Sequence, residues 1–224
     1  MIDAKAIGTI LALAAAGYTS APVVPFAVAD VHLEQNATDG DFEVVFEVKG
    51  GAEGLAKLGV VGPDGRIVVD FTAPDASTMG IRQFRFESPE PRDFQSLKAA
   101  YPEGGYTFTG TTAAGGKLQS TATLHHQLPV TTSFLRPRAA AQGVAATALE
   151  ITWAPVKNVV AYVIVIEQDE LKVNITARVP GSLARFRVPD GFLAPGTEYT
   201  LEIGTVTAEG NISLVETTFT TARP

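Results

Sequence analysis

Phe42-Glu43-Val44-Val45-Phe46-Glu47-Val48 alternates by twos. Phe42, Val44, Phe46 and Val48 fall on one side, and Glu43 and Glu47 on the other. That is the pattern of a β-strand with one buried face. The chain around it repeats the theme. Leu58 to Asp70 reads as a hairpin closed at Pro63-Asp64-Gly65, because proline presets one backbone angle and glycine takes the positive φ. Ile81 to Phe86 is a further strand. Gly105 to Thr112 and Lys117 to His125 form a second hairpin across Ala113-Ala114-Gly115-Gly116. One helix is predicted, Arg92 to Ala100: Phe94, Leu97 and Tyr101 share a face, Pro91 suits its start and Pro102 ends it.

Gln127 to Arg138 holds Pro129, a Thr131-Thr132-Ser133 cluster and Pro137, and reads as a linker. Few contacts are expected to cross it. The strand rhythm resumes at Ala148. Leu149, Ile151 and Trp153 share one face, as do Tyr162, Ile164 and Ile166, then Phe186 with Val188, then Tyr199, Leu201 and Ile203; Val215 to Thr221 closes the series. Short strands spaced by turn signals argue for an all-β sandwich.

Three motifs in order carry a resemblance. Leu149-Glu150-Ile151-Thr152-Trp153 resembles the second strand of a fibronectin type III domain, whose Trp fills the core. Ala161-Tyr162-Val163-Ile164 resembles its third strand. Leu193-Ala194-Pro195-Gly196-Thr197-Glu198-Tyr199 resembles the turn that carries its tyrosine corner. The resemblance implies core roles for Trp153 and Tyr199. No Arg-Gly-Asp tripeptide follows, so integrin binding is not implied. Pro102 and Tyr106 echo Pro195 and Tyr199 at the same spacing, which points to a related, immunoglobulin-like first sandwich. The expected layout is an N-terminal apolar segment or signal peptide over 1–29, an immunoglobulin-like sandwich over 30–126, a linker and strand start over 127–138, and a fibronectin type III-like sandwich over 139–224.

Composition narrows the function. Charged residues are 18% of the chain against 46% hydrophobic, and the net charge is -7, with no Lys/Arg run longer than two. Nucleic-acid and anionic-membrane binding need concentrated positive charge, so neither is expected. There is no cysteine, which removes disulfides, thiol nucleophiles and Cys-held zinc. The uncharged run Ala6 to Ala16 after Lys5, followed by Ala27-Val28-Ala29, fits a signal segment cut before Asp30; the run is too short to span a bilayer comfortably. Export to the periplasm or the extracellular space is expected, with no membrane insertion after processing.

Candidate chemistry is sparse. His125 and His126 are adjacent, so on a strand they face opposite ways and do not chelate one ion; His32 is the third histidine. Glu34, Asp39, Asp41 and Glu43 cluster around Gly40, but their spacing is not that of the twelve-residue calcium loop, and a solvated loop is expected. Gly50-Gly51-Ala52-Glu53-Gly54 lacks the Lys and helix of a phosphate cradle and reads as a turn. Asn36, Asn174 and Asn211 open glycosylation triplets that β composition alone explains. Arg185 and Arg187 flank Phe186 on an outer face. No Ser elbow for nucleophilic catalysis occurs. No catalytic, cofactor-binding or metal residue is therefore expected. The reading is a non-catalytic structural or interaction protein that presents sandwich surfaces to a protein partner, a cell-surface polymer or itself. A carbohydrate-binding accessory module is the alternative, which exposed aromatics would favour. A hydrolase with an acidic site in the first sandwich comes third.

Overall fold

The computed structural model describes residues 22–73, 75 and 81–224. The run Ala6 to Ala16 lies outside the described residues. The strands are β1 (Val23–Val24), β2 (Val28–Asn36), β3 (Asp41–Lys49), β4 (Leu55–Val61), β5 (Ile67–Thr72), β6 (Gln83–Glu87), β7 (Gly104–Thr112) and β8 (Lys117–Leu124) in the first half. The second half holds β9 (Phe134–Arg136), β10 (Ala141–Val144), β11 (Glu150–Trp153), β12 (Ala161–Gln168), β13 (Val173–Pro180), β14 (Arg185–Arg187), β15 (Glu198–Val206) and β16 (Ile212–Thr221). The helix, α1, is Phe94–Ala100. It starts after Asp93 rather than at Arg92, because the Asp93 carboxylate accepts the free Ser96 N–H at 2.7 Å and caps the first turn.

Alternation decides each core. In β3, Val44, Phe46 and Val48 are buried while Glu43 and Glu47 face out. Opposite them lie Leu58, Val60, Tyr106 and Phe108, and Leu97 of α1 closes the same cluster, with Phe94 and Tyr101 packed on it. The sheet β1-β8-β7-β4-β5 covers β2-β3-β6. The second core gathers Ile151, Trp153, Tyr162, Ile164, Tyr199, Leu201 and Phe219 between β14-β11-β9 and β13-β12-β15-β16. Strand for strand, β2, β3 and β6 against β4, β5, β7 and β8 match β9, β11 and β14 against β12, β13, β15 and β16. Each half is thus an immunoglobulin-like sandwich, the second of the fibronectin type III type. Both also carry an edge strip parallel to their last strand, β1 on β8 and β10 on β16.

One expectation is corrected. The sandwiches are not loosely tethered. Ile212, Ser213 and Leu214 of β16 pair in parallel with Glu34, Gln35 and Asn36 of β2, which fuses one sheet of each half into a path of seven strands, with β10 attached as the eighth. Both halves offered an unpaired edge there, and pairing satisfies backbone groups that would otherwise stay open. The cut expected before Asp30 would fall within β2. It would remove Phe26, which is 7% exposed and packs in the first core. Phe26 N–H donates to Ser120 Oγ and Ala27 N–H to the Lys49 carbonyl. Gly110 admits the Phe26 ring; a Cβ there would come within 2.7 Å of it.

Candidate functional site

The outer face of β2-β3-β6 carries a cluster of charged side chains. Asp30, His32 and Glu34 alternate along β2 and so point one way. Glu43 and Glu47 lie opposite Glu34 and Asp30 on β3, and Arg85 of β6 lies opposite Glu47. His32 Nδ1 sits 2.6 Å from Asp30 Oδ2, and its Nε2 2.8 Å from Glu34 Oε1. Glu34 Oε2 accepts from Arg85 at 3.1 Å, and Arg85 reaches Glu87 at 2.8 Å. Burial opposes charge on the His32 ring, but the two carboxylates outweigh it and raise its pKa to about 9. An imidazolium that donates from both nitrogens keeps no lone pair, so His32 neither takes a proton nor binds a metal. Glu34 is held below the usual range: burial works against this, and His32 and Arg85 prevail. Glu43 moves the other way, to about 7, through burial and then the charge and hydrogen bond of Glu87. Glu43 and Glu87 stand side by side on a sheet face rather than in an enclosed cleft.

This charged strip abuts the seam. Gly210, in the turn before β16, lies against His32 and Asp30. Beside it, Asn211 is 1% exposed. Its Oδ1 accepts from Leu33 N–H at 2.8 Å, and its Nδ2 donates to the carbonyls of His125 and Gln127 at 2.8 and 2.9 Å. One side chain therefore ties β16 to β2 and to the 127–138 segment. Thr205 Oγ1 adds a bond to the Val130 carbonyl, and Thr38 Oγ1 accepts from Glu216 N–H at 2.7 Å. Next to the seam an open cleft of about 520 Å³ is lined by Glu103, His125, Lys157, Asn158 and Glu209, among others.

The structure disperses the other sequence candidates. His125 sits at that cleft, while His126 donates from Nε2 to the Tyr101 carbonyl at 2.7 Å. Asp39 accepts from Asp41 N–H and Asp41 from Phe42 N–H, at the start of β3. Among the described residues, no group of three or more His, Asp or Glu side chains is arranged to hold a metal ion. Gly51 and Gly54 take positive φ in the turn after β3. Asn174 is exposed and Asn211 is buried; Asn36 bonds Glu216. Arg185 and Arg187 share an exposed face, with Arg187 paired to Asp190. Trp153 is 1% exposed, its ring 5.1 Å from that of Tyr162. No aromatic among the described residues is classed as exposed, so the feature that would favour a carbohydrate platform is not found there. Sequence reasoning missed Asn211 and the Asp30-His32-Glu34 ladder. The ladder's i, i+2, i+4 spacing on a strand was its available signal.

Solved structures similar to this chain include a two-domain fibronectin type III segment of chicken tenascin, at 15% identity over 87% of this chain and 98% of that one, with a TM-score of 0.34. The fibronectin(III)-like modules of Clostridium thermocellum CbhA match at 10% identity over 88% and 92%, with a TM-score of 0.35. The FN1–FN3 domains of chicken CNTN1 match at 14% identity over 90% and 67%, with a TM-score of 0.33. No protein-family model and no curated protein matches the sequence. No helix among the described residues is long and apolar enough to cross a membrane.

Proposed function

We propose that this chain is a non-catalytic interaction module, exported, whose two sandwich domains act as one stiff body toward a protein partner. A fibronectin type III-like fold fits a structural or interaction role. The observation that carries the reading is the seam: parallel pairing of β16 with β2, locked by buried Asn211, holds the domains in one orientation. A fixed orientation makes edges and loops of both halves one surface, at little ordering cost on binding. The chemistry on the charged face points the same way, because its histidine is spent as a doubly bonded cation. The domain bounds we propose are 22–126 and 139–224, with export carried by the run upstream of Ala21. Cross-linking of the tagged chain in its native cell envelope is expected to capture a specific protein. A hydrolytic activity abolished by Glu43→Gln and Glu87→Gln, with no partner captured, would overturn the reading in favour of an acidic active site.

A further inference from the structure

The fused sheet ends on β13, and that edge differs from the others. β14 and β9 have three residues each and β1 has two. β5 faces a register irregularity in β4, and β6 has five residues with Arg85 and Glu87 engaged. β13 runs eight residues in unbroken register with β12. It has no bulge, no inward charge and no proline before its last position, three of the devices that keep sheet edges from pairing, and Arg178 is its one charged residue.

The hydrogen-bonding phase of this edge follows from one residue. Pro180 pairs with Ala161 and has no N–H, and the bond there runs from Gly181 N–H to the Val160 carbonyl at 2.9 Å. Ala161 and Pro180 are therefore a non-hydrogen-bonded pair, and bonded pairs alternate from it. Val173, Ile175, Ala177 and Val179 turn their backbone groups to β12. Asn174, Thr176 and Arg178 turn theirs away from the sheet, where no described residue meets them.

We infer that β13 pairs antiparallel with β13 of a second copy of this chain, about a two-fold axis at Thr176. This deepens the interaction-module reading and rests on it. In that register Thr176 faces Thr176 of the second copy and Asn174 faces Arg178, so all three outward residues form two-bond pairs. Inward, Val173 meets Val179 and Ile175 meets Ala177, so the apolar side of the sheet continues across the axis. A two-fold contact of one patch with itself is self-complementary by necessity. The registers centred on Asn174 or Arg178 are poorer. A centre at Arg178 opposes two like charges, and a centre at Asn174 leaves Arg178 without a strand partner. Charge favours the chosen one. Arg178 arrives beside Asn174, which pairs with Glu167 of β12, and Glu202 lies on the next strand over. The one cation of the edge is thus delivered to the acidic outer face.

The test uses the full chain, which has no native cysteine. In a bonded antiparallel pair the Cα atoms are about 5.5 Å apart, within the roughly 4.4–6.8 Å a disulfide spans. Thr176→Cys is expected to cross-link to a covalent dimer on mild oxidation. Arg178→Cys, offset from its own copy by about 14 Å along the strand at ~3.4 Å per residue, is not. Sedimentation velocity should show a concentration-dependent dimer that Thr176→Pro abolishes. Proline is tolerated at that site because the N–H it removes faces outward, and an unchanged melting curve checks this. A monomer at every concentration, a dimer that Thr176→Pro leaves intact, or equal cross-linking through Arg178→Cys would each overturn the pairing. A monomer that still captures another protein would leave the module reading standing.

Discussion

Two tyrosines occupy matching corners but use their hydroxyls in opposite senses. Tyr199 accepts from Ala194 N–H at 2.8 Å, and Tyr106 donates to the Pro102 carbonyl at 3.1 Å. Burial pushes the Tyr106 phenol up to about 12, so it stays protonated and keeps donating. Replacing either by Phe keeps the ring and strands one backbone group, at an expected cost of about 1–3 kcal/mol. Similar shifts in denaturation midpoint at both sites would show that the corners are equivalent. His32 sets a pH dependence. Its folded pKa of about 9 exceeds the ordinary 6.5, so its stabilisation is complete below pH 6.5 and lost as pH rises through 9. Glu43, raised to about 7, acts in the same direction between pH 4.5 and 7. Glu34, lowered, opposes both on the acid side. Melting temperature should therefore decline from about pH 6 to pH 9.5. His32→Gln should flatten the upper part of that decline, worth on the order of 3 kcal/mol.

At the scale of the element, β1 and the start of β2 behave as integral strands. Val23 and Val24 pair with Lys117 and Leu118, and Phe26 enters the core next to them. A chain beginning at Asp30 loses both. It should be less stable than one beginning at Pro22 by about 3–5 kcal/mol, the usual cost of emptying a Phe site. Equal midpoints in urea would show that the segment contributes nothing. Ala27-Val28-Ala29 has the small residues a signal peptidase accepts, and the same residues fit a strand beginning beside Lys49. Local pattern cannot separate the two uses; Phe26 packing against Gly110 can.

For the whole molecule the seam decides cooperativity. Removing the Asn211 amide leaves Leu33 N–H and the carbonyls of His125 and Gln127 without their partner. Asn211→Ala should cost on the order of 3 kcal/mol, since each stranded buried group costs roughly 1–3. It should also uncouple the halves. Wild-type protein is expected to melt in one calorimetric transition and the variant in two. Two transitions in the wild type would mean that the sandwiches unfold independently and that the fused sheet transmits little.

The inward faces of β3, β12 and β15 and the core places of Trp153 and Tyr199 were legible because alternation and turn chemistry are local properties, whereas β2 and β13 were not read as strands. The matched Pro102–Tyr106 and Pro195–Tyr199 spacings likewise pointed to two related sandwiches, since each corner closes within five residues. The union of the halves was not legible. Asn211 and Leu33 are separated by most of the chain, and a buried asparagine with every amide group bonded reads in sequence as an ordinary turn residue. Nor could the charged ladder be weighed: Asp30, His32 and Glu34 become one network only when β6 brings Arg85 alongside. Backbone edges are chemically alike in every strand, so sequence names the strands, and only packing in three dimensions selects which edges meet.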